Sequence, residues 1–136
     1  MEPVRVDWAA LIEAATRARE RAYAPYSRFA VGAALLADGG SIHTGANVEN
    51  ASYGLTICAE RAAVVSAIAR GARRFVALTV VTDAPTPTPP CGACRQVLRE
   101  FAPNLDVLCA NTSGRQLHRA LAELLPDAFG PDSLAE

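Results

Sequence analysis

The chain has no lysine: all 13 of its basic residues are arginines, and 14 acidic residues balance them to a net charge of −1. Aromatic residues make up only 6% of the 136 residues. A protein that binds polynucleotides or anionic membranes needs a basic surface, and a single-strand binder also needs aromatic rings for stacking. The composition therefore gives no reason to expect nucleic acid or a membrane as a partner.

Long apolar runs are also missing. No segment approaches the roughly 20 apolar residues that span a bilayer, and residues 1–5 lack the apolar core of a signal peptide. We therefore expect a cytoplasmic protein, whose four cysteines stay as thiols or metal ligands rather than disulfides. Because 51% of the residues are apolar and no linker or repeat divides the chain, the sequence predicts a single domain over residues 1–136.

Hydrophobic patterns predict alternating helices and strands. A first amphipathic helix is expected from an N-cap at Asp7 to about Tyr23, and a buried second helix over 58–70, closed by Gly71. The other predicted elements are strands at 29–37, 41–48, 75–81 and 105–110, an extended proline-rich loop at 83–90, and helices at 91–101 and 119–125. This order predicts an α/β fold with helices on both faces of a mixed sheet.

Cys91 and Cys94 stand three residues apart at a predicted helix start, directly after Pro90. This spacing places both thiols on one side of the first turn, where free N–H groups and the helix dipole favour thiolates. Taken alone, such a pair is compatible with a redox pair, half a zinc site or two buried thiols. A strand normally leads into a thioredoxin-like pair, whereas a proline-rich loop leads into this one.

Cys58 begins the other buried helix and has the same favourable electrostatics. If the two helix N-termini meet, Cys58, Cys91 and Cys94 supply three thiolates and leave one metal position open, which is the arrangement of catalytic zinc. Cys109 is a possible fourth ligand, but its apolar, strand-like surroundings predict a small buried thiol. The two histidines follow no ligand spacing.

Glu60 lies two residues after Cys58. In an arbitrary helix, a first-turn glutamate only complements the helix dipole. Beside a metal with an open position, the same carboxylate can take a proton from a bound water and pass it on. Zn²⁺ with three thiolates also carries one excess negative charge, which Arg61 could offset by donating to sulfur. Arg95, which directly follows Cys94, could do the same. A surface charge is the alternative for both arginines: donation to sulfur is favoured for Arg61, and the two interpretations fit Arg95 equally.

The order of Cys58-Ala59-Glu60 and Pro90-Cys91-Gly92-Ala93-Cys94 resembles the signature of the zinc-dependent nucleoside and nucleotide deaminases. More narrowly, the chain resembles the short, homotetrameric cytidine deaminases over nearly its whole length. The blocks that carry this resemblance are residues 24–29, 31–33, 45–53, 58–61, 90–96 and 124–129.

The resemblance implies a three-layer αβα sandwich with a central mixed sheet of about five strands. It also implies a homotetramer with one Zn²⁺ per subunit, held by Cys58, Cys91 and Cys94. The implied reaction is hydrolytic deamination of cytidine and deoxycytidine to uridine and deoxyuridine with release of ammonia, a step of pyrimidine salvage. Zinc-bound hydroxide would attack C4, and Glu60 would be the catalytic residue that shuttles protons.

The same resemblance implies a set of substrate-binding residues. The backbone of Ala59 would hydrogen-bond the pyrimidine, Asn47 and Glu49 would bind the ribose 3′-hydroxyl, and Phe29 would pack on the base. Asn47 and Glu49 project from one face of an extended run, and an amide beside a carboxylate suits a sugar diol. Without the resemblance, these two would be polar residues at a strand end and Phe29 a core residue.

Two further residues are implied at contacts between subunits. Tyr53 and Phe129 would reach the pocket of a neighbouring subunit. The alternative is that the C-terminal stretch folds back on its own domain.

Three rival functions remain open from the sequence. A deaminase of another small cytosine nucleoside, such as blasticidin S, would share the chemistry, although Asn47-Val48-Glu49-Asn50 favours a ribose. An editing enzyme that acts on RNA or single-stranded DNA is disfavoured by the charge and the few aromatic residues. A non-catalytic zinc-stabilised interaction module would lose no activity on replacement of Glu60.

Overall fold

The computed structural model describes residues 4–134. Within that range, the chain forms four α-helices and five strands. The elements are α1 (Trp8–Arg19), β1 (Gly32–Ala37), β2 (Ile42–Ala46), α2 (Ala59–Ala69), β3 (Phe75–Thr82), α3 (Gly92–Phe101), β4 (Asp106–Asn111), β5 (Gln116–Ala120) and α4 (Leu121–Leu124), with short 3₁₀ turns at Tyr53–Leu55 and Pro131–Leu134. None of the helices described is long and apolar enough to cross a bilayer.

The five strands form one mixed sheet in the order β2-β1-β3-β4-β5. β1 is antiparallel to both β2 and β3, β3 and β4 are parallel, and β5 is antiparallel to β4. Helix α3 makes the crossover that a parallel pair requires. The predicted mixed sheet is therefore confirmed.

Helices cover both faces of the sheet, because the side chains of the central strands alternate between two cores. On one face, Leu11 and Ala15 of α1 pack with Ala34 and Leu36 of β1. On the other face, α2 and α3 pack against the intervening β1 positions and against β3 and β4, as Ala63, Leu98, Ala33, Leu35, Leu78 and Val107 illustrate. This three-layer αβα sandwich confirms the predicted fold class.

Helix α1 begins as predicted but ends earlier. Asp7 caps it by accepting a hydrogen bond from the backbone N–H of Ala10 at 3.1 Å. The helix stops at Arg19 rather than near Tyr23. The Tyr23 N–H donates to the Asn47 carbonyl at 2.9 Å, and Tyr23 forms a β-bridge with Val48. This long-range pairing replaces the last helical turn that the apolar pattern predicted.

The first two strands are shorter than the predicted 29–37 and 41–48. β1 starts only at Gly32, and β2 ends at Ala46. Residues 29–31 make hydrogen bonds to side chains in place of ladder bonds: Asn47 Nδ2 donates to the Phe29 carbonyl, Arg19 Nε donates to the Ala30 carbonyl, and the Val31 N–H donates to Asn47 Oδ1.

The prediction of a helix over 119–125 is wrong for its first part. Residues Gln116–Ala120 pair with β4 as an edge strand, and only Leu121–Leu124 are helical. Gln116, His118 and Arg119 are exposed, which is typical of a protected sheet edge and leaves little apolar alternation to detect. The predicted helices after Cys58 and Cys91 are confirmed, as are the third and fourth strands and the loop at 83–90.

Candidate metal centre and active site

Two helix N-termini meet at the carboxyl end of β3 and bring three cysteines together. Cys58 is the N-cap of α2, Cys91 is the N-cap of α3, and Cys94 lies in the first turn of α3. The Sγ atoms of Cys58 and Cys91 are 3.9 Å apart, and those of Cys91 and Cys94 are 3.4 Å apart. All three sulfurs lie within 4.8 Å of one another, and none is in a disulfide.

The spacing of these sulfurs fits a zinc ion. Zn–S bonds of about 2.3 Å in tetrahedral geometry place sulfurs about 3.8 Å from each other. The distances of 3.9 and 3.4 Å lie on either side of that value. A set of three thiolates is also a donor set that zinc prefers and that leaves a fourth position for water or substrate.

Cys109 is not part of this cluster. Its side chain is 1% exposed and packs in the core between the sheet and helices α2 and α3. Burial, and then the nearby charge of Glu60, raises the pKa of the Cys109 thiol to about 12, so this thiol stays protonated. The prediction of a small buried thiol is confirmed.

The thiol of Cys58 lies in an electropositive setting. Interaction with the Cys94 thiol, followed by contact with Arg61, lowers the pKa of Cys58 to about 5. Arg61 Nη2 lies 3.7 Å from the Cys58 sulfur and donates to the Thr56 carbonyl at 3.1 Å. The guanidinium therefore makes the contact with sulfur that the sequence predicted for it.

Arg95 has a different set of contacts. Its Nε donates to the Pro90 carbonyl at 2.7 Å, and its Nη1 donates to the Leu124 carbonyl at 2.8 Å. Both are backbone acceptors, one directly before Cys91 and the other at the end of α4. Arg95 thus ties the start of α3 to the C-terminal part of the chain.

Glu60 lies in the first turn of α2 and is only 5% exposed. Burial raises the pKa of its carboxyl to about 7, and the charge on Cys58 acts in the same direction. A carboxyl with a pKa near neutrality can both accept and donate a proton under physiological conditions. The structure thus places a group suited to proton transfer beside the thiol cluster.

A cavity of about 200 Å³ opens over Cys58, Cys91 and Glu60. The predicted substrate-binding residues that line it are Phe29, Asn47, Glu49 and Ala59. The structure thus brings the predicted metal, proton-transfer and substrate-binding groups to one site.

Asn47 and Glu49 also build the wall that carries Phe29. The buried Asn47 amide accepts from the Val31 N–H at 2.9 Å and donates to the Phe29 carbonyl at 2.8 Å. Glu49 accepts from the N–H groups of Tyr26 and Ser27 at 2.9 and 3.1 Å, and also from the Ser27 hydroxyl. The Ser27 hydroxyl is the main cause that lowers the pKa of Glu49, which therefore remains a carboxylate.

Sequence reasoning missed Thr82, Thr88 and Pro89, which line the opposite side of the cavity. Thr82 is fully buried, and its hydroxyl accepts from the Ala84 N–H at 3.3 Å and lies 3.4 Å from the Thr88 hydroxyl. One available signal was the position of Thr82 at the carboxyl end of a strand before a crossover, where α/β proteins bind ligands.

Tyr53 and Phe129 lie outside this cavity. The Tyr53 ring is 73% exposed, sits 5.8 Å from the Tyr26 ring, and lines an adjoining concavity that shares Ser27 and Glu49 with the first. Phe129 is 58% exposed, and its carbonyl accepts from Gln96 Nε2 at 2.8 Å. Within the part of the chain described, neither side chain completes the site of its own subunit.

Comparison with known proteins agrees with this site. The family model described as the cytidine and deoxycytidylate deaminase zinc-binding region matches residues 7–110. A cytidine deaminase of Halalkalibacterium halodurans is 53% identical over 125 residues, which are 91% of this chain and 95% of that protein. A cytidine deaminase of Mycobacterium tuberculosis is 49% identical over 129 residues, which are 95% of this chain and 94% of that protein.

Solved structures give the same result for the fold. The crystal structure of cytidine deaminase from Burkholderia pseudomallei matches with a TM-score of 0.88 at 53% identity, covering 91% of this chain and all (100%) of that one. The Mycobacterium tuberculosis enzyme matches with a TM-score of 0.80 at 50% identity, covering 93% of this chain and 99% of that one. The chain therefore belongs to the cytidine and deoxycytidylate deaminase family.

Proposed function

We propose that this protein is a zinc-dependent hydrolase that converts cytidine and deoxycytidine to uridine and deoxyuridine with release of ammonia. The observation that carries the proposal is the buried Glu60 carboxyl in the same cavity as the thiols of Cys58 and Cys91. The names and high identity of the relatives support the same activity.

One Zn²⁺ per subunit would be held by Cys58, Cys91 and Cys94, whose sulfur spacing fits this ion. When bound there, zinc supplies the Lewis acidity that activates a water molecule for attack on C4 of the base. The positive guanidinium of Arg61 would offset part of the charge of the three thiolates.

Glu60 would carry the protons of the reaction. Its carboxylate would accept a proton from the attacking water and deliver it to N3 of the pyrimidine. It would then take the second proton from the hydroxyl added at C4 and deliver it to the departing amine, which leaves as ammonia while the C4 carbonyl forms. Burial raises the pKa of this carboxyl to about 7 in the metal-free protein, which supports proton uptake by Glu60.

The substrate would lie between the two walls of the cavity. The backbone N–H of Ala59 belongs to the first turn of α2, where such groups have no intrahelical partner, and it would bind the pyrimidine. Asn47 and Glu49 would bind the ribose 3′-hydroxyl, and Phe29 would pack on the base. All four residues line the cavity, which supports this assignment.

A homotetramer is also part of this proposal. Large apolar side chains that are exposed in the single chain support association, and they include Tyr23, Tyr26, Tyr53, Leu55 and Phe129. Tyr53 and Phe129 would reach the cavity of a neighbouring subunit. Light scattering should give four times the chain mass of 14.3 kDa, and a monomer in solution would contradict this part of the proposal.

We further propose that residues 1–136 form one catalytic domain that works in the cytoplasm. The two cores share a single sheet, which supports one domain. The four free thiols support a reducing compartment.

The decisive variant is Glu60→Gln, which keeps the size of the side chain and removes the titratable proton. We expect zinc content to be unchanged and cytidine turnover, followed by ultraviolet absorbance, to fall about 10²–10⁴-fold. Glu100→Gln, the same change at an exposed position on α3, is the control. A zinc-loaded Glu60→Gln protein that turns over cytidine like this control would refute the proposal.

A further inference from the structure

The proline-rich loop at residues 83–90 cannot hold its own shape through backbone hydrogen bonds. Four of its eight residues are prolines, which have no N–H to donate. The loop nevertheless forms one wall of the cavity, through Thr88 and Pro89, and it ends at the ligand candidate Cys91. Contacts from outside the loop therefore have to fix its position.

Asn111 supplies the main external donor at the start of this loop. Its Nδ2 donates to the carbonyls of Ala84 and Pro85 at 3.1 and 3.2 Å. Its Oδ1 accepts from the N–H groups of Ser113 and Arg115 at 3.1 and 2.9 Å, inside the β4–β5 turn. The side chain is 5% exposed, and these contacts engage both ends of its amide.

The buried Thr82 hydroxyl at the end of β3 also contacts the loop, at Ala84 and Thr88. The remaining tethers are less buried or act at the far end of the loop. The exposed Arg115 donates through Nη1 to the same Pro85 carbonyl at 3.1 Å, and Arg95 holds the Pro90 carbonyl. Arg19 pairs with Asp83 at 3.0 Å, but more than half of the Asp83 side chain is exposed (54%). Asn111 is thus the buried link between the rigid β4–β5 hairpin and the start of the loop.

We propose that Asn111 is a positioning residue for the active site. It contacts neither the cavity nor the sulfur cluster and acts through the loop, which carries Thr88 and Pro89 to the cavity wall and Cys91 to the cluster. The role in turnover rests on the proposed function, whereas the role in holding the metal does not. Loss of contacts that orient the metal ligands and the cavity wall weakens metal binding and turnover together, even when those contacts lie away from the reacting atoms.

Asn111→Asp tests this role selectively. The carboxylate keeps an acceptor for the Ser113 and Arg115 N–H groups, so the β4–β5 turn is preserved. Its second oxygen replaces the amide donor and faces the carbonyls of Ala84 and Pro85, so the loop is released. Asn104→Asp, the same chemical change at an exposed position before β4, is the matched control.

Two readouts are measured on the zinc-loaded proteins, well below their melting temperatures. Relative to the control, we expect Asn111→Asp to lose zinc to a chromophoric chelator roughly tenfold faster and kcat/KM for cytidine to fall roughly 10–100-fold. A purely structural role would lower the melting temperature and leave both readouts unchanged. The proposal is overturned if either quantity stays within about twofold of the control, because a released loop disturbs both Cys91 and the cavity wall.

The zinc-release comparison decides the case even if wild-type protein does not deaminate cytidine, an outcome that would refute the proposed function alone. If Asn111→Asp does not fold, Arg115→Ala takes its place, because Arg115 is exposed and holds the same loop carbonyl. The expected change is then smaller, about two- to fivefold in zinc release. Its control is Arg119→Ala, whose guanidinium donates, among residues 4–134, only to the adjacent His118 carbonyl, and equal release rates in these two variants would overturn the proposal.

Discussion

The Nη2 atom of Arg61 lies 3.7 Å from the sulfur of Cys58, and both residues stand at the N-terminal end of α2. This contact places a fixed positive charge beside a site that would otherwise combine three thiolates with a buried carboxylate. An excess of negative charge weakens the Lewis acidity of zinc. We therefore expect the positive charge of Arg61 to support the activation of water by the metal.

Arg61→Ala should therefore retain zinc but lower kcat for cytidine about 10–100-fold. The three sulfurs remain in place, whereas the charge that offsets them is lost. Zinc content and steady-state kinetics measured on one preparation test this expectation. Arg70→Ala, at the opposite end of α2, serves as the control, and equal kcat values for the two variants would argue against charge compensation by Arg61.

Replacement of Cys58, Cys91 or Cys94 by Ala should deplete zinc and lower the melting temperature, because metal binding and folding are coupled at such sites. Cys109→Ala is the matched control, since its thiol lies in the core and apart from the cluster. Metal analysis of the four purified variants is the measurement. Loss of zinc from Cys109→Ala, with retention in any of the other three, would overturn the ligand assignment.

Gly45→Ala should destabilise the protein by about 3 kcal/mol or more and reduce its zinc content. A Cβ at position 45 would lie 2.4 Å from both the Ala59 carbonyl oxygen and the Ala63 nitrogen, which are rigid backbone atoms of α2. Strand β2 would thus push away the helix that carries Cys58. Urea unfolding measures the effect, and Gly39→Ala is the control because its Cβ would meet no atom within 4 Å. Similar stabilities of both variants would show that α2 is not seated this closely.

The stability of chelator-treated protein should depend on pH through Glu60. Burial raises the pKa of this carboxyl from its ordinary value of 4.5 to about 7 in the folded protein. The folded state therefore binds the proton more tightly, and the stabilisation is complete below pH 4.5 and is lost as the pH rises to about 7. Wild type loses this stabilisation as the pH rises from 4.5 to 7.5, whereas Glu60→Gln has no such carboxyl. The free energy of unfolding of Glu60→Gln minus that of wild type should therefore increase by about 3 kcal/mol over this range.

Urea titrations of both chelator-treated proteins at these two pH values provide the measurement, with Glu100→Gln as a control for the exposed surface. A difference between Glu60→Gln and wild type that does not change with pH would mean that the Glu60 carboxyl is not desolvated in the fold.

The sequence predicted the elements that bury a regular apolar face and missed those set by distant partners. The helices after Cys58 and Cys91 follow from local capping and apolar patterns, and both were found. Strand β5 escaped detection because its pairing with β4, rather than its own polar sequence, defines it. The early end of α1 depends in the same way on the pairing of Tyr23 with residues 47 and 48.

The residues of the site also fall into those that local sequence predicts and those that distant contacts define. The spacing of the cysteines and the position of Glu60 can be recognised in two short segments of the sequence. The structure shows that these two segments lie side by side. The second task of Asn47 and Glu49, which is to hold the segment of Phe29, depends on contacts across 16 to 23 positions of the chain. The place of Asn111 behind the proline-rich loop also required coordinates, because 26 and 27 positions separate it from its acceptors.

The proposed mechanism is that a zinc ion on three thiolates works with Glu60 to remove the amine of cytidine. Its most direct test is to incubate the purified protein with cytidine and to measure ammonia released and zinc bound in the same sample. We expect one ammonia per uridine formed, by a protein that holds one zinc per chain. Zinc-loaded, folded protein that releases no ammonia from cytidine, or full turnover by protein without zinc, would contradict it.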